Sequence, residues 1–243
     1  GEPGTTGVRL NDGTSDRRLT VPLDNDGAHW VDLAAGATSL RLSEFGAEAT
    51  WYGAVVERAG PGVVVDNLGL VNARAVNHAR IDAEHWARQV RGRGAHLLTY
   101  FYGVNAAGER RPGKPWLRGY ADDYGTILRR VRTLTPERDC LVISLLTRGS
   151  HGDQGPRTRP SVAPLADAQH EAAVAEGCGY WSAFEAAGGE RSAAKWATHR
   201  PRLLGADLAH PTAAGYRILA KKFYLALLEG FVDYLNARVG RPG

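Results

Sequence analysis

Between residues 17 and 58 apolar and polar positions alternate in short bursts: Leu19-Thr-Val21-Pro-Leu23, Trp30-Val-Asp-Leu33, Ser39-Leu-Arg-Leu-Ser43 and Thr50-Trp-Tyr-Gly-Ala-Val-Val-Glu57. A period of two places successive side chains on opposite faces of a strand. Asp24-Asn-Asp-Gly27, Ala35-Gly36 and Phe45-Gly46 separate the bursts as turn formers. The pattern predicts a small antiparallel β unit, entered through an irregular Gly/Thr/Asn-rich stretch over residues 1–14. About forty residues bury little core of their own, so the unit is expected to lean on the rest of the chain.

Beyond Gly60-Pro61-Gly62 the period changes. Val63-Val-Val-Asp66 is a continuous apolar run, the signature of a strand buried on both faces. Asn67-Leu-Gly69 makes the turn, and Ala73 to Arg91 has helical spacing. Ala95–Tyr102 reads as the next strand, ending in Gly103-Val-Asn105 and an Arg/Gly/Pro-rich loop over 106–117. The helix Tyr120–Leu134 gathers Tyr124, Ile127, Leu128 and Val131 on one face. A third strand over Asp139–Leu146 precedes a polar loop over Thr147–Arg159 and a helix over Pro164–Glu176. A short strand over Gly179–Ser182 and a closing helix over Thr212–Ala237 complete the chain. Such alternation with short crossovers predicts an α/β class domain over 61–243, a parallel sheet with helices on both faces, preceded by a small β-rich domain over 1–60.

Composition narrows the function classes. The chain has 243 residues and a net charge of +4, unevenly spread: the first sixty carry five Arg against nine Asp/Glu, and the remainder is basic. No Lys/Arg-rich run with interleaved aromatics appears, so nucleic acid is excluded as the expected partner. No run of 18 apolar residues exists, so no membrane span is expected. The chain starts at Gly1, which reads as a mature or trimmed product with residues upstream; the absence of methionine from the rest of the sequence has no explanation in this reading. Cys140 and Cys178 each stand at the start of an apolar run, so neighbouring parallel strands would bring them within disulfide reach and favour an exported protein.

In a parallel α/β sheet, ligands bind outside the carboxyl ends of the strands. The loops placed there are Asn67–Gly69, Gly103–Asn105, Arg148–Arg159 and Leu204-Gly-Ala-Asp207-Leu-Ala-His210-Pro211 ahead of the last helix. Asp207 and His210, three apart on one tight turn, suit an acid that holds an imidazole's far N–H so that the other nitrogen acts as a base; a capping turn with a surface His is the bland alternative. His78 and His85 share a helix at i and i+7 without a carboxylate or Cys at i+3 or i+4, which reads as a solvated face rather than a metal site. No phosphate-cradling Gly-rich loop with a Lys is present. The Arg-rich loops at 109–118 and 148–159 read as solvated.

Gly103-Val-Asn105, Asp207-Leu-Ala-His210-Pro211 and the Gly69 turn carry a resemblance to the SGNH (GDSL-type) hydrolases over about Gly60–Tyr234. The resemblance implies a flavodoxin-like sheet, with residues 1–60 corresponding to the small, jelly-roll-like β insertion of some bacterial members. It implies an ester hydrolase working without metal or cofactor, exported, and acting on an acylated carbohydrate, a cell-wall polysaccharide or a small ester. His210 would be the general base and Asp207 its orienting acid. Asn105, through its side-chain amide, and Gly69, through its backbone N–H, would bind the oxyanion. Asn105 as a strand-end turn residue, and Gly69 as a position needing positive φ, are the structural alternatives. Tyr102 and Trp196 are candidate substrate contacts; the Gly188–Trp196 loop, with Arg191, either lines a groove or packs on its own Trp.

The family's Gly-Asp-Ser block is absent from the chain. Gly13-Thr-Ser15-Asp16 lacks a preceding strand, and Ser144 and Ser150 lie with a later one. That leaves two accounts: the nucleophilic serine comes from outside this chain, on an upstream segment of the same precursor, or the chain is a silent relative that binds polysaccharide or protein.

Overall fold

A computed structural model describes residues 6–21, 39–46, 55–58, 60–108 and 113–239. The chain divides into two compact units, Gly1–Leu68 and Gly69–Gly243.

In the first unit β1 (Thr6–Asn11), β2 (Asp16–Val21) and β3 (Arg41–Gly46) form an antiparallel sheet in the order β2-β1-β3. The stretch expected to be an irregular entry is therefore the central strand, because it finds a partner on each edge: Leu10 stands opposite Arg17 on one side and Leu42 on the other. The β1–β2 turn is closed by Asp12, whose carboxylate accepts the N–H groups of Thr14 (3.0 Å) and Ser15 (2.7 Å). Residues 22–23 of the first burst, the Trp30–Leu33 burst and residues 50–54 of the last burst lie outside the described residues. Val55–Glu57 is not a strand.

Nor is Val63–Asp66. Residues 61–70 carry no regular secondary structure, and Val63, Val65 and Leu68 are 92%, 84% and 85% exposed. A parallel strand needs a partner to pair with and cover on both faces, and no described strand pairs with this run.

The second unit holds α1 (Ala75–Ala79), α2 (Ala83–Arg93), β4 (Leu97–Tyr100), α3 (Lys114–Leu134), β5 (Asp139–Ile143), β6 (Gly149–Gly152), β7 (Gly155–Thr158), α4 (Val162–Ala175), β8 (Gly179–Trp181), α5 (Ala183–Ala187), α6 (Ser192–Thr198) and α7 (Ala213–Val239). The helix expected over 73–91 is two, because Asp82 accepts the His85 N–H at 2.7 Å and starts a fresh N-terminus. α3 starts six residues earlier than expected, since Pro115 suits a first turn.

β4, β5 and β8 form a parallel sheet in chain order. Alternation divides its side chains between two cores. Leu98, Tyr100, Cys140, Val142 and Tyr180 pack with Tyr124, Ile127, Leu128 and Val131 of α3 and Leu165 and Ala173 of α4. Ile143 and Trp181 face the other way, into Ala183, Trp196, Leu203, Leu204, Leu208 and Leu219. The sheet thus carries helices on both faces, as its pattern predicts. Cys140 and Cys178 are joined by a disulfide, their Cα atoms 4.9 Å apart.

The second face is incompletely covered. At the β4 edge Leu97 and Phe101 are about half exposed (49% and 47%). α7 packs through Gly215 and Leu219, and Phe223 meets Trp181 at 5.0 Å between ring centroids. From Leu227 to Val239 every residue is exposed, Phe231 and Tyr234 included. Among the described residues no helix is long and apolar enough to cross a membrane.

Candidate active site

The carboxyl ends of β4 and β5 are clamped by one buried amide. Gln169 of α4 donates from Nε2 to the Tyr102 carbonyl (2.8 Å) and accepts the Leu145 N–H at Oε1 (2.9 Å). The chain then turns at Gly103, whose φ of +120° suits glycine alone; a Cβ there would stand 2.9 Å from Leu145 Cβ. Asn105 comes next but one, half-buried, with one N–H of its amide donated to the Ala73 carbonyl at 3.0 Å. That bond fixes the amide plane and leaves the second N–H for an incoming acceptor.

The Asp207–His210 turn is built from backbone upward. Gly205 N–H donates to the His210 carbonyl (2.7 Å) and Leu208 N–H to the Gly205 carbonyl (3.1 Å), closing the loop. Asp207 Oδ1 accepts the N–H groups of Ala209 (3.1 Å) and His210 (3.2 Å). Its other oxygen meets His210 Nδ1 at 2.5 Å. The hydrogen bond from the His210 ring, helped by the two backbone N–H groups and opposed by partial burial, holds the Asp207 carboxyl down to about 2. With Nδ1 engaged, Nε2 is the free nitrogen of an imidazole whose side chain is 73% exposed. Leu208, between them, has a φ of 53° and is buried in the second core. Thr212 caps the helix behind, its hydroxyl accepting the Gly215 N–H at 3.2 Å.

The other expected residues fare differently. Gly69 is exposed, in a stretch that pairs with no described strand, and the positive φ nearby falls at Asn72 (61°). Tyr102 turns inward, its hydroxyl 3.5 Å from His78 Nδ1. Trp196 is a core residue, only 4% exposed, and its indole N–H donates to the Ala187 carbonyl at 3.0 Å. It walls a cavity of about 340 Å³ with Leu203, Ile218 and Lys222, and neither Asp207, His210 nor Asn105 reaches that cavity. The loop packs on its own Trp because α5 and α6 fold it inward.

Four serines are held by other partners. Ser144 is fully buried, donating to the Leu145 carbonyl and accepting the Phe184 N–H. Ser15 donates to Asp12 Oδ2 in the β1–β2 turn. Ser161 donates to the Ala107 carbonyl and Ser192 to Thr147. Ser150 lies in β6, opposite Arg157 of β7.

One contributor is not evident from the apolar pattern. The polar loop after β5 is a hairpin, β6 paired antiparallel with β7. Its signal lies in Gly149 and in the glycines Gly152 and Gly155 flanking a two-residue turn.

A model of the GDSL-like lipase/acylhydrolase family matches residues 32–218. No curated protein sequence matches the chain. Among solved structures, a peptidoglycan O-acetylesterase superposes with a TM-score of 0.55 at 21% identity, over 65% of this chain and 44% of that one. An acetyl xylan esterase, AlAXEase, gives a TM-score of 0.49 at 13% identity over 65% and 78% of the two chains. A Lactobacillus plantarum protein gives 0.44 at 22% identity over 67% and 73%. The chain spans less than half the length of the first of these, and the likeness is one of fold.

Proposed function

Because the chain belongs to the GDSL-like lipase/acylhydrolase family, we propose that it is an ester hydrolase that deacetylates a carbohydrate or cell-wall polysaccharide through an acyl-enzyme. The observation that carries the reading is the 2.5 Å contact between Asp207 Oδ2 and His210 Nδ1, beside an imidazole open to solvent. Asp207 keeps the proton on Nδ1 and stabilises the imidazolium. Nε2 takes the proton of a serine as its oxygen attacks the ester carbonyl, then gives it to the departing sugar oxygen, which leaves as a hydroxyl. Water repeats the cycle on the acyl-enzyme. Asn105 donates its free amide N–H to the oxyanion, with the Gly69 N–H and the nucleophile's own N–H as companions; losing one such donor costs about 10²–10³ in rate.

The nucleophile in this reading comes from outside the chain, on a strand that ends at the same carboxyl edge and belongs to the same precursor. The substrate preference draws on the structural neighbour that is a peptidoglycan O-acetylesterase by name, and the disulfide fits an oxidising, extracytoplasmic location.

The test compares this chain with the polypeptide extended by the residues encoded before Gly1. The extended form should react with a fluorophosphonate probe and hydrolyse 4-nitrophenyl acetate, and His210→Ala should abolish turnover while leaving the melting temperature within a few degrees. This chain alone should do neither. Labelling of the chain alone would move the nucleophile to one of its own serines, Ser15 first. An extended form that contains a serine yet stays inert would replace the reading with a silent, polysaccharide-binding relative.

A further inference from the structure

The hairpin after β5 touches both loops of the candidate site. On one side Arg148 Nη1 donates to the Val104 carbonyl at 3.2 Å, and Arg159 Nη1 donates to the Gly108 carbonyl at 3.0 Å. Both carbonyls belong to the loop that carries Asn105. On the other side Gly149 N–H donates to the Leu208 carbonyl at 2.6 Å. Leu208, with φ of 53°, is one of the two residues between Asp207 and His210.

A bulky residue in that conformation is held by its surroundings rather than by its own preference. The restraint here is close contact: a Cβ on Gly149 would stand 2.8 Å from Leu208 Cβ and 3.1 Å from Ala193 Cβ. The two sides meet in a single side chain. Arg159 Nε donates to the Gly149 carbonyl at 3.2 Å while its Nη1 reaches Gly108. The hairpin mouth is closed by Arg159 N–H on the Arg148 carbonyl at 2.8 Å. Its second strand is tied to α6 by Thr158, whose hydroxyl accepts the Ala193 N–H at 3.1 Å. A planar guanidinium can hold two carbonyls in fixed relation, which an ammonium on a flexible stem cannot.

We propose that Arg159, acting through Gly149, is a positioning residue that sets the Asp207–His210 turn against the Asn105 loop. The inference rests on the esterase reading for its purpose, but its geometry can be tested without turnover. Base and oxyanion donor lie on loops more than a hundred residues apart in sequence. Without Arg159 the hairpin would hold the Asn105 loop through Arg148 alone, and a small misplacement of reacting groups has a large effect on rate.

The experiment uses this chain, labelled with ¹⁵N. In the parent, the neutral His210 ring should be the Nδ1–H tautomer, held by Asp207 Oδ2, and the Gly149 amide should exchange slowly. In Arg159→Ala the Gly149 amide should exchange at least about tenfold faster, equivalent to the loss of one restraint of ordinary hydrogen-bond strength. The His210 ring should then lose its tautomer preference. Arg159→Lys should resemble Arg159→Ala, and Gly149→Ala should produce the same His210 signature from the opposite end, by pushing Leu208 away. Val131→Ala, a cavity in the α3 core, serves as a variant of lowered stability and should move neither signal.

If Arg159→Ala lowers the melting temperature but leaves the His210 tautomer and the Gly149 exchange as in the parent, Arg159 is merely structural and the proposal falls. Should Arg159→Ala fail to fold, the Arg159→Lys and Gly149→Ala variants decide by the same two signals. In an active extended form, Arg159→Lys should lower kcat about tenfold or more with KM nearly unchanged, the pattern of a misplaced base. An inert extended form would overturn the esterase reading while leaving the two spectroscopic outcomes to decide the bridge.

Discussion

At the scale of single residues, the chain holds a second histidine whose chemistry opposes that of His210. His78 of α1 lies among Trp86, Tyr100 and Tyr102, with ring centroids 6.1, 5.6 and 6.3 Å away. Arg130 donates to the backbone carbonyls of His78 (3.2 Å) and Ala79 (2.6 Å), bringing a positive charge close. Burial, with Arg130 adding to it, pushes the imidazole down to about 4. The fold therefore prefers it neutral, whereas the unfolded chain binds a proton near pH 6.5. Stability from this group is complete above pH 6.5 and is lost as pH falls toward 4, at up to about 1.4 kcal/mol per pH unit. Urea midpoints at pH 7 and pH 4.5 should differ accordingly, and His78→Gln should flatten the difference; an unchanged slope would remove His78 as the cause. In sequence His78 reads as part of a solvated face, because helical spacing does not show which neighbours a short helix meets. Asp207 and His210 are legible for the opposite reason. Both lie on one short turn, so their spacing shows in the sequence, while the hairpin contact that holds the turn does not. Trp196 and Tyr102 are not legible, since the direction of the first depends on α5 and α6 and that of the second on α1 and α3.

At the scale of elements, the parallel strands are legible wherever both faces are buried. β5 reads as Cys-Leu-Val-Ile and appears where expected; Val63–Val65 reads as well and is no strand, because pairing needs a neighbour that composition cannot reveal. The β6–β7 hairpin is hidden by its polar residues, which serve hydrogen bonds rather than burial. The best test of the sheet is its covalent link. Cys140 stands opposite Cys178 in the register that pairs Leu141 with Gly179. The bond closes a loop of 38 residues, and loop-closure entropy assigns it about 3–4 kcal/mol. Cys140→Ala with Cys178→Ala should lower the unfolding free energy from urea titration by that amount. If the doubly substituted chain is as stable as the parent, the denatured state already restrains this loop and the entropic account fails.

At the scale of the whole molecule, family and fold class are readable from three short blocks and an alternation of periods, while the exposed run of the last helix is not. α7 shows it most clearly. Phe223, Leu227, Phe231 and Tyr234 fall on one stripe at i, i+4, i+8 and i+11. Phe223 meets Trp181, while Leu227, Phe231 and Tyr234 are about half exposed. Ahead of the stripe stand Lys221 and Lys222, and beyond them the helix is apolar on most sides. Such a helix is a surfactant built into the chain, with a charged, anchored head and a greasy shaft. The protein should spread at an air–water interface, bind 8-anilinonaphthalene-1-sulfonate in its native state, and be retained on phenyl resin at modest ammonium sulfate. Leu227→Ser with Phe231→Ser should release it earlier from that resin without altering the urea midpoint, and retention unchanged by both substitutions would place the sticky surface elsewhere. Handling is governed by the same shaft: traces of mild detergent, rather than added salt, are what should keep concentrated solutions clear.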